Sequence, residues 1–234
     1  YDISTGYNTA NDYYSTLDKT TDEEYTDGYI NEWVWANYYL QAQYTWKRLL
    51  ALDLTASLDG SSVSGISAPL YYLYPAAKVT YMAANMAMMP AWVNQLDLSV
   101  SASKTGNSRF SSNYAKNYYH SANFFSLGAI IRSDIPNTLL EPEKQNQYQL
   151  AVNSSLFGHR LQVGLEGFVQ DAYDLIIPQD ISSIYASDNY FANAAAITTK
   201  GFTANLRTAI VESKNFGWTL GGNITFNKSV VKDL

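Results

Sequence analysis

Few residues in this chain have the types and spacing that catalysis requires. The two histidines, His120 and His159, stand apart from other metal-binding or nucleophilic side chains, and we expect a loop residue and a turn residue. Asp171 and Asp174 are spaced closely enough for an acid–base pair, although a loop charge or a cation contact is the favoured interpretation. The acidic patch at 22–27 lacks the spacing of a calcium loop. We therefore predict no enzyme, no metal site and no cofactor.

Composition excludes two further kinds of site. The chain has no cysteine, which rules out a disulfide framework and any thiolate chemistry. Its net charge is −6, and the sequence has no basic stripe to neutralise phosphates, so no nucleic-acid partner is expected. Phosphate-binding glycine loops and nucleophile elbows are also missing from the sequence. The function must therefore be sought in the elements themselves.

The segment 141–178 shows the architecture most clearly. Apolar and polar residues alternate along 147–156 and again along 161–170, which is the period of a strand with one apolar face. The connection Phe157–Arg160 is short enough to require an antiparallel hairpin. Each arm runs for ten residues or more, longer than usual soluble strands of about five to six. Tilted strands of about 9–11 residues are typical of membrane-spanning β-barrels.

The composition suits such a barrel. Only 15% of residues are charged and 15% are aromatic, with 20 tyrosines, yet mean hydropathy is −0.21. The apolar residues are thus hidden in alternation, as in a barrel whose outer side meets lipid and whose inner side meets water. A secreted, tyrosine-rich β-sandwich remains the alternative on composition alone.

About eight strands are predicted, joined by connections of alternating length. The predicted strands are 29–46, 50–59, 71–84, 96–103, the two arms of the hairpin, 202–210 and 218–226. The predicted connections are a tight turn at Lys47–Arg48, a Gly/Ser-rich loop to 68, a helical turn within 85–95, an irregular loop at 105–143, a loop at 178–196 and a turn at 212–217. The irregular loop is predicted to contain a strand or a helical turn at 124–132. Residues 1–27 are predicted to be an extracellular loop, and 28–230 barrel strands and loops. Short turns alternating with long loops favour an outer-membrane barrel over a sandwich.

Six short motifs, in order, give the chain a family resemblance. They are Leu58–Ser62, Tyr74–Val79, Leu96–Asn107, Leu140–Leu150, Asp171–Ile176 and Asn193–Gly201. In this order they resemble part of the barrel of a SusC/RagA-type TonB-dependent outer-membrane transporter. The sequence departs from the family pattern at Leu58, where a basic residue is usual, around Ser101, and at Ala194 and Ala195 after Asn193.

The resemblance implies an all-β, antiparallel transmembrane barrel segment that belongs to a larger barrel. About eight strands cannot close the 22-stranded ring of such transporters. We therefore expect an internal piece whose full-length protein carries the plug that contacts TonB. The implied partners are outer-membrane lipid, a SusD-like surface lipoprotein and a glycan or peptide ligand, and the implied location is the outer membrane of a Gram-negative bacterium.

Loop aromatics are the predicted ligand contacts, because tyrosine rings can stack on sugars or grip a peptide. The candidates are Tyr71, Tyr72, Tyr118, Tyr119 and Tyr190. Loop packing or an interfacial aromatic girdle is the competing explanation for the same residues. The predicted function is nutrient import, of oligosaccharides or peptides. The alternative is a surface β-sandwich that acts as a lectin or adhesin through its tyrosine-rich loops.

Overall fold

The computed structural model describes residues 33–86, 88–124, 127–132, 135–182 and 189–234. Residue contacts divide the chain into two units, Tyr1–Val34 and Trp35–Leu234, and the fold described below is that of the second unit. The loop predicted at 1–27 lies outside the described residues.

The described residues of the second unit contain ten strands. In chain order they are β1 (Trp35–Trp46), β2 (Leu50–Ser61), β3 (Tyr71–Met82), β4 (Val93–Asn107), β5 (Tyr119–Phe124), β6 (Leu127–Arg132), β7 (Glu143–Leu156), β8 (Leu161–Asp180), β9 (Asn189–Glu212) and β10 (Gly217–Asp233). Eight of them form one antiparallel sheet in the order β1-β2-β3-β4-β7-β8-β9-β10, and β5 and β6 form a separate hairpin. The prediction of an all-β antiparallel fold with about eight long strands is confirmed.

Register sorts the side chains of the eight long strands onto two faces. One cross-strand row reads Tyr44, Leu52, Val79, Val100, Leu150, Gly167, Phe202 and Phe226. The row one residue away reads Gln43, Asp53, Lys78, Ser101, Gln149, Phe168, Gly201 and Asn227. Because successive side chains alternate across a sheet, the first row belongs to an apolar face and the second to a polar face.

The apolar face is open rather than covered. Val100 is 59% exposed, Leu150 is 58% exposed and Phe226 is 63% exposed, and each lies on a strand of the continuous sheet. On β7 the apolar positions run from Tyr148 to Leu156, interrupted by Ser154. Nine residues of tilted strand at about 3.3 Å each span roughly 20–25 Å, which matches the apolar band of outer-membrane barrels.

Connections of different length lie at opposite ends of the sheet. The turns 47–49, 83–92, 157–160 and 213–216 join strands at what we call the short-turn end. The segments 62–70, 108–142 and 181–188 join strands at the opposite, long-loop end. The tight turns 47–49, 157–160 and 213–216 thus all lie at one end and the longest connection, 108–142, at the other, whereas 83–92 lies at the short-turn end although it is about as long as 62–70 and 181–188.

Three loop predictions need correction. The segment 105–143 is more ordered than expected, because β4 reaches Asn107, a 3-10 helix spans Ser112–Tyr114 and the β5–β6 hairpin follows. The loop predicted at 178–196 is shorter, since β8 and β9 extend their pairing to Asp180 and Asn189. The helical turn expected within 85–95 lies at Ala83–Asn85. The helices among the described residues are single 3-10 turns, too short to cross a bilayer.

The β-sandwich alternative does not fit this architecture. A sandwich needs two sheets packed face to face. The described long strands instead form one continuous meander, and the only other sheet among the described residues is the two-stranded β5–β6 hairpin.

Candidate functional site at the long-loop end

Two long connections are joined by backbone pairing at the long-loop end. The N–H of Gly65 donates to the carbonyl of Leu140 at 2.8 Å, and the N–H of Ser67 donates to the carbonyl of Thr138 at 2.8 Å. A side chain at position 65 would come within 2.2 Å of the Thr138 carbonyl oxygen, so this approach requires glycine. Leu140 is fully buried at the junction, which fixes segment 62–70 against segment 135–142.

Asn193 links the same junction to β9. Its side-chain oxygen accepts from the N–H of Glu141 at 2.9 Å, and its side-chain nitrogen donates to the carbonyls of Glu141 at 2.9 Å and Asp174 at 2.7 Å. The side chain thus gives the backbone N–H and carbonyl of Glu141 the hydrogen bonds that a neighbouring strand would otherwise supply. Three bonds from one amide make Asn193 the best-connected polar side chain described at this end.

A second asparagine and an aromatic stack complete the junction. The backbone N–H of the buried Asn137 donates to the carbonyl of Tyr114 at 2.8 Å, and its side chain donates to the carbonyl of Phe191 at 3.0 Å. The rings of Tyr114 and Phe191 stack with centroids 3.7 Å apart. We call the joined segments 62–70, 108–118, 135–142, 175–180 and 189–195 the loop assembly.

Lys144 neutralises two carboxylates next to the loop assembly. Its ammonium forms ion pairs with Glu141 and, at 2.8 Å, with Asp174, and only 12% of the lysine side chain is exposed. Burial alone lowers the pKa of Lys144, but hydrogen bonds to Asp174 and Glu141 outweigh it and hold the pKa above its ordinary value. Asp174 lies at an irregularity in the β8–β9 pairing and has a φ of 55°, a left-handed conformation.

Neither interpretation of the aspartates fits this geometry, because both residues lie within β8 rather than in a loop and each has a partner in the chain. Asp174 is paired with Lys144, while Asp171 accepts a hydrogen bond from the hydroxyl of Thr198 at 2.7 Å. The two carboxylates therefore have separate structural partners and do not form an acid–base pair. In the described ranges, no three His, Asp or Glu side chains converge on a common point where a metal ion would bind.

The two histidines lie in different kinds of element. His159 lies in the β7–β8 turn with a φ of 68°, and its ring nitrogen Nδ1 is 2.9 Å from the hydroxyl of Ser155. The prediction of a turn residue is confirmed. His120 belongs to β5, in the ordered hairpin rather than an irregular loop.

Two of the five predicted ligand tyrosines begin β3. Tyr71 is 43% exposed, and its ring lies 6.5 Å from that of Tyr38, on the parity of the apolar face. Tyr72 is on the opposite parity, its hydroxyl is buried, and the ammonium of Lys144 lies 5.5 Å from its ring centroid. The structure therefore gives Tyr72 a packing contact within the protein.

The other three tyrosines lie in or beside the loop assembly. The hydroxyl of Tyr118 is hydrogen-bonded to the hydroxyl of Ser112 at 2.8 Å, which anchors that ring. Tyr119 starts β5 and is 62% exposed. Tyr190 is half-buried in the β8–β9 extension, opposite Gln179. All five tyrosines belong to elements of the long-loop end, and Tyr119 is the most exposed of them.

Sequence inspection alone did not identify the clamp formed by Glu141, Lys144, Asp174 and Asn193. Each of these residues nevertheless stands within or beside the motifs that carry the family resemblance. The motifs therefore mark these four residues in the sequence. However, the motifs are far apart along the chain, and only the fold shows that the four side chains lie together.

Comparison with known proteins identifies the class. The family model described as TonB dependent receptor-like, beta-barrel, matches residues 1–233. The chain belongs to this family, which is one of receptors and transporters. The curated relatives include TonB-dependent receptor P39 of Formosa agariphila, 24% identical over 84% of this chain, and TonB-dependent receptor P3 of the same organism, 21% identical over 86%.

Solved structures show the same fold. The RagAB peptide transporter matches with a TM-score of 0.83 over 96% of this chain at 18% identity. The siderophore receptor PirA from Pseudomonas aeruginosa matches with a TM-score of 0.55 over 85% of this chain at 14% identity. The chain spans 19% and 21% of the two curated relatives and 25% of the RagAB chain, so the matched part is one segment of a much larger barrel.

Proposed function

We propose that this chain is part of the barrel wall of a nutrient importer in the outer membrane of a Gram-negative bacterium. The observation that carries the proposal is the exposed apolar face, which continues across all eight long strands opposite a polar face. Exposed apolar surface of this extent marks an interaction surface, and the nine-residue height of the apolar face fits a bilayer. In this orientation the short-turn end is periplasmic and the long-loop end is extracellular.

The proposed cargo is a peptide or an oligosaccharide. The similar RagAB structures are described as those of a peptide transporter and importer, which supports the peptide. A polar row of Gln41, Thr55, Ser103, Gln147, Gln170, Thr199 and Ser229 gives the inner wall neutral donors and acceptors, which suit peptide groups and sugar hydroxyls alike. The proposed transporter also includes a SusD-like lipoprotein above the loop assembly and a plug that contacts TonB.

Among the proposed ligand contacts Tyr71, Tyr72, Tyr118, Tyr119 and Tyr190, Tyr119 is the strongest candidate. Its ring is largely exposed, whereas Tyr72 and Tyr118 have internal contacts. An exposed aromatic ring can stack on a sugar or an apolar peptide side chain at little conformational cost.

Uptake by the full-length protein in its own bacterium tests the proposal. Cells are given separate pools of fluorescent peptides and oligosaccharides, with and without a proton-motive-force uncoupler. We expect uptake of one pool that the uncoupler abolishes, and a reduction of about two- to tenfold in the Tyr119→Ala variant, in line with the loss of one aromatic contact. Tyr44→Ala is the matched control, since Tyr44 is equally exposed (64%) but lies near the short-turn end. Unchanged uptake in a strain lacking the protein would contradict the proposal.

A further inference from the structure

The β8–β9 pairing contains two extra residues close together, one in each strand. The pairs in this stretch are, in order, Ala172 with Ile197, Leu175 with Ala195, and Ile176 with Asn193. Between the first two pairs β8 has one residue more than β9, and between the last two β9 has one residue more than β8. Because the two insertions cancel, the register beyond them is the same as the register before them.

The paired insertions reverse the faces of the residues that lie beyond them. Side chains alternate between the two faces along a regular strand, and each extra residue shifts that alternation by one position. A regular β9 would place Tyr190 on the apolar face, because Tyr190 is an even number of residues from Phe202, which lies on that face. With the insertion, Tyr190 lies on the side of the polar face, and Phe191 and Asn193 lie on the side of the apolar face.

The side-chain contacts of this stretch agree with the reversed faces. Lys144 follows the apolar-face parity of β7, and its ammonium is 2.8 Å from the carboxylate of Asp174. Asn193 is hydrogen-bonded to the backbone of Glu141 and Asp174. The ring of Phe191 stacks on an aromatic ring of the loop assembly. A regular β9 would turn Asn193 and Phe191 to the opposite face, away from these partners.

The clamp of Glu141, Lys144, Asp174 and Asn193 favours the reversed arrangement over a regular one. The pairs at both ends of the stretch are compatible with a regular ladder, because the register is the same on either side. Asp174 has a φ of 55°, a left-handed conformation that is unfavourable for residues other than glycine. The ion pair with Lys144 and the hydrogen bonds of Asn193 offset this cost, and both require the reversed faces.

We propose that the clamp turns the ring of Tyr190 toward the polar face, where the ring contacts the cargo. In this account the members of the clamp are positioning residues, and Tyr190 touches the cargo itself. The inference rests on the proposed function, because the polar face is the inner wall only if the chain is part of an importer barrel. Tyr190 is paired with Gln179, so a side-chain amide lies beside the ring. An aromatic ring next to an amide suits a peptide or a sugar.

Site-specific photocrosslinking in the full-length protein tests the orientation of residue 190. A benzophenone amino acid replaces either Tyr190 or Phe191, and cells receive the fluorescent peptide and oligosaccharide pools separately. In the parent protein we expect one pool to crosslink at position 190 and neither pool to crosslink at position 191.

Two substitutions at Asp174 separate the backbone conformation from the ion pair. Asp174→Val disfavours the left-handed conformation, Asp174→Gly permits it, and neither new side chain can pair with Lys144. We expect crosslinking at position 190 to be about fivefold lower in Asp174→Val than in Asp174→Gly, with a gain at position 191. Lys144→Met removes the ion pair alone and should lower crosslinking at position 190 about threefold. Thermal unfolding in detergent checks that each variant folds.

Each contrary result identifies the step that fails. Equal crosslinking at position 190 in the two Asp174 variants, or an unchanged level in Lys144→Met where Asp174→Val does not fold, would overturn the role of the clamp. Crosslinking at position 191 rather than 190 in the parent would overturn the assignment of faces. Uptake without a crosslink at position 190 would overturn the inference and leave the proposed function standing, whereas the proposed function itself fails if wild-type cells show no uptake that the uncoupler abolishes.

Discussion

The wall and the loop assembly of this protein are held together by different means. The wall, meaning the eight long strands apart from segments 175–180 and 189–195 of the loop assembly, together with the short turns, depends on continuous backbone pairing and on the division between apolar and polar faces. The loop assembly depends on a few side chains, chiefly Asn193, Asn137 and Lys144, which join segments that are far apart in sequence. We therefore expect that substitutions can reshape the loop assembly without disturbing the wall.

The largest expected effect comes from placing a charge on the apolar face of the wall. Leu150→Arg should lower the free energy of unfolding in lipid bilayers by about 2–4 kcal/mol, because the guanidinium would lie in hydrocarbon. Gln149→Arg, one residue away on the polar face, is the matched control and should have little effect. Urea unfolding of the full-length protein in liposomes measures both. Equal losses for the two variants would show that the faces have been assigned wrongly.

A smaller and more local effect is expected in the loop assembly. Asn193→Ala removes three hydrogen bonds and should weaken the link to segment 135–142 by about 1–3 kcal/mol, with backbone carbonyls left unpaired. Hydrogen exchange should speed up at the amides of Leu140 and Glu141 while the strands of the wall stay protected. Asn205→Ala on the polar face of β9 is the control. Faster exchange throughout β7 and β8 would contradict the independence of the two regions.

The smallest effect concerns the β1–β2 turn of the wall. Lys47 and Arg48 have φ values of 48° and 55°, and the N–H of Leu49 donates to the carbonyl of Trp46 at 2.9 Å. Two successive left-handed residues make a type I′ turn, which favours Asn-Gly. Replacing Lys47 by Asn together with Arg48 by Gly should raise stability by about 1 kcal/mol, as measured by thermal unfolding in detergent. A loss of stability would mean that the contact of Lys47 with the Trp46 ring outweighs the backbone strain.

The sequence predicts the wall better than the loops for a physical reason. Strand alternation is local, so the hairpin around Phe157–Arg160 and the turn at Lys47 and Arg48 could be located from neighbouring residues alone. The sequence predicts a loop at 178–196, whereas β8 and β9 continue their pairing to Asp180 and Asn189 beyond the irregularity at Asp174, where strict alternation no longer marks the strands. The clamp around Asn193 depends on contacts between distant segments, which no local pattern reveals. The prediction of the five tyrosines rests on residue type, and type does not indicate which ring is anchored, as that of Tyr118 is.

Site-directed spin labelling along β7 tests the central claim most directly. This chain contains no cysteine, so single cysteines at positions 147 to 152 give unique label sites within it. With the full-length protein in bilayers, labels at 148, 150 and 152 should be accessible to lipid-soluble oxygen and protected from a water-soluble nickel complex. Labels at 147, 149 and 151 should show the reverse, with a period of two residues. Equal accessibility of both sets to the nickel complex would contradict a membrane-spanning wall.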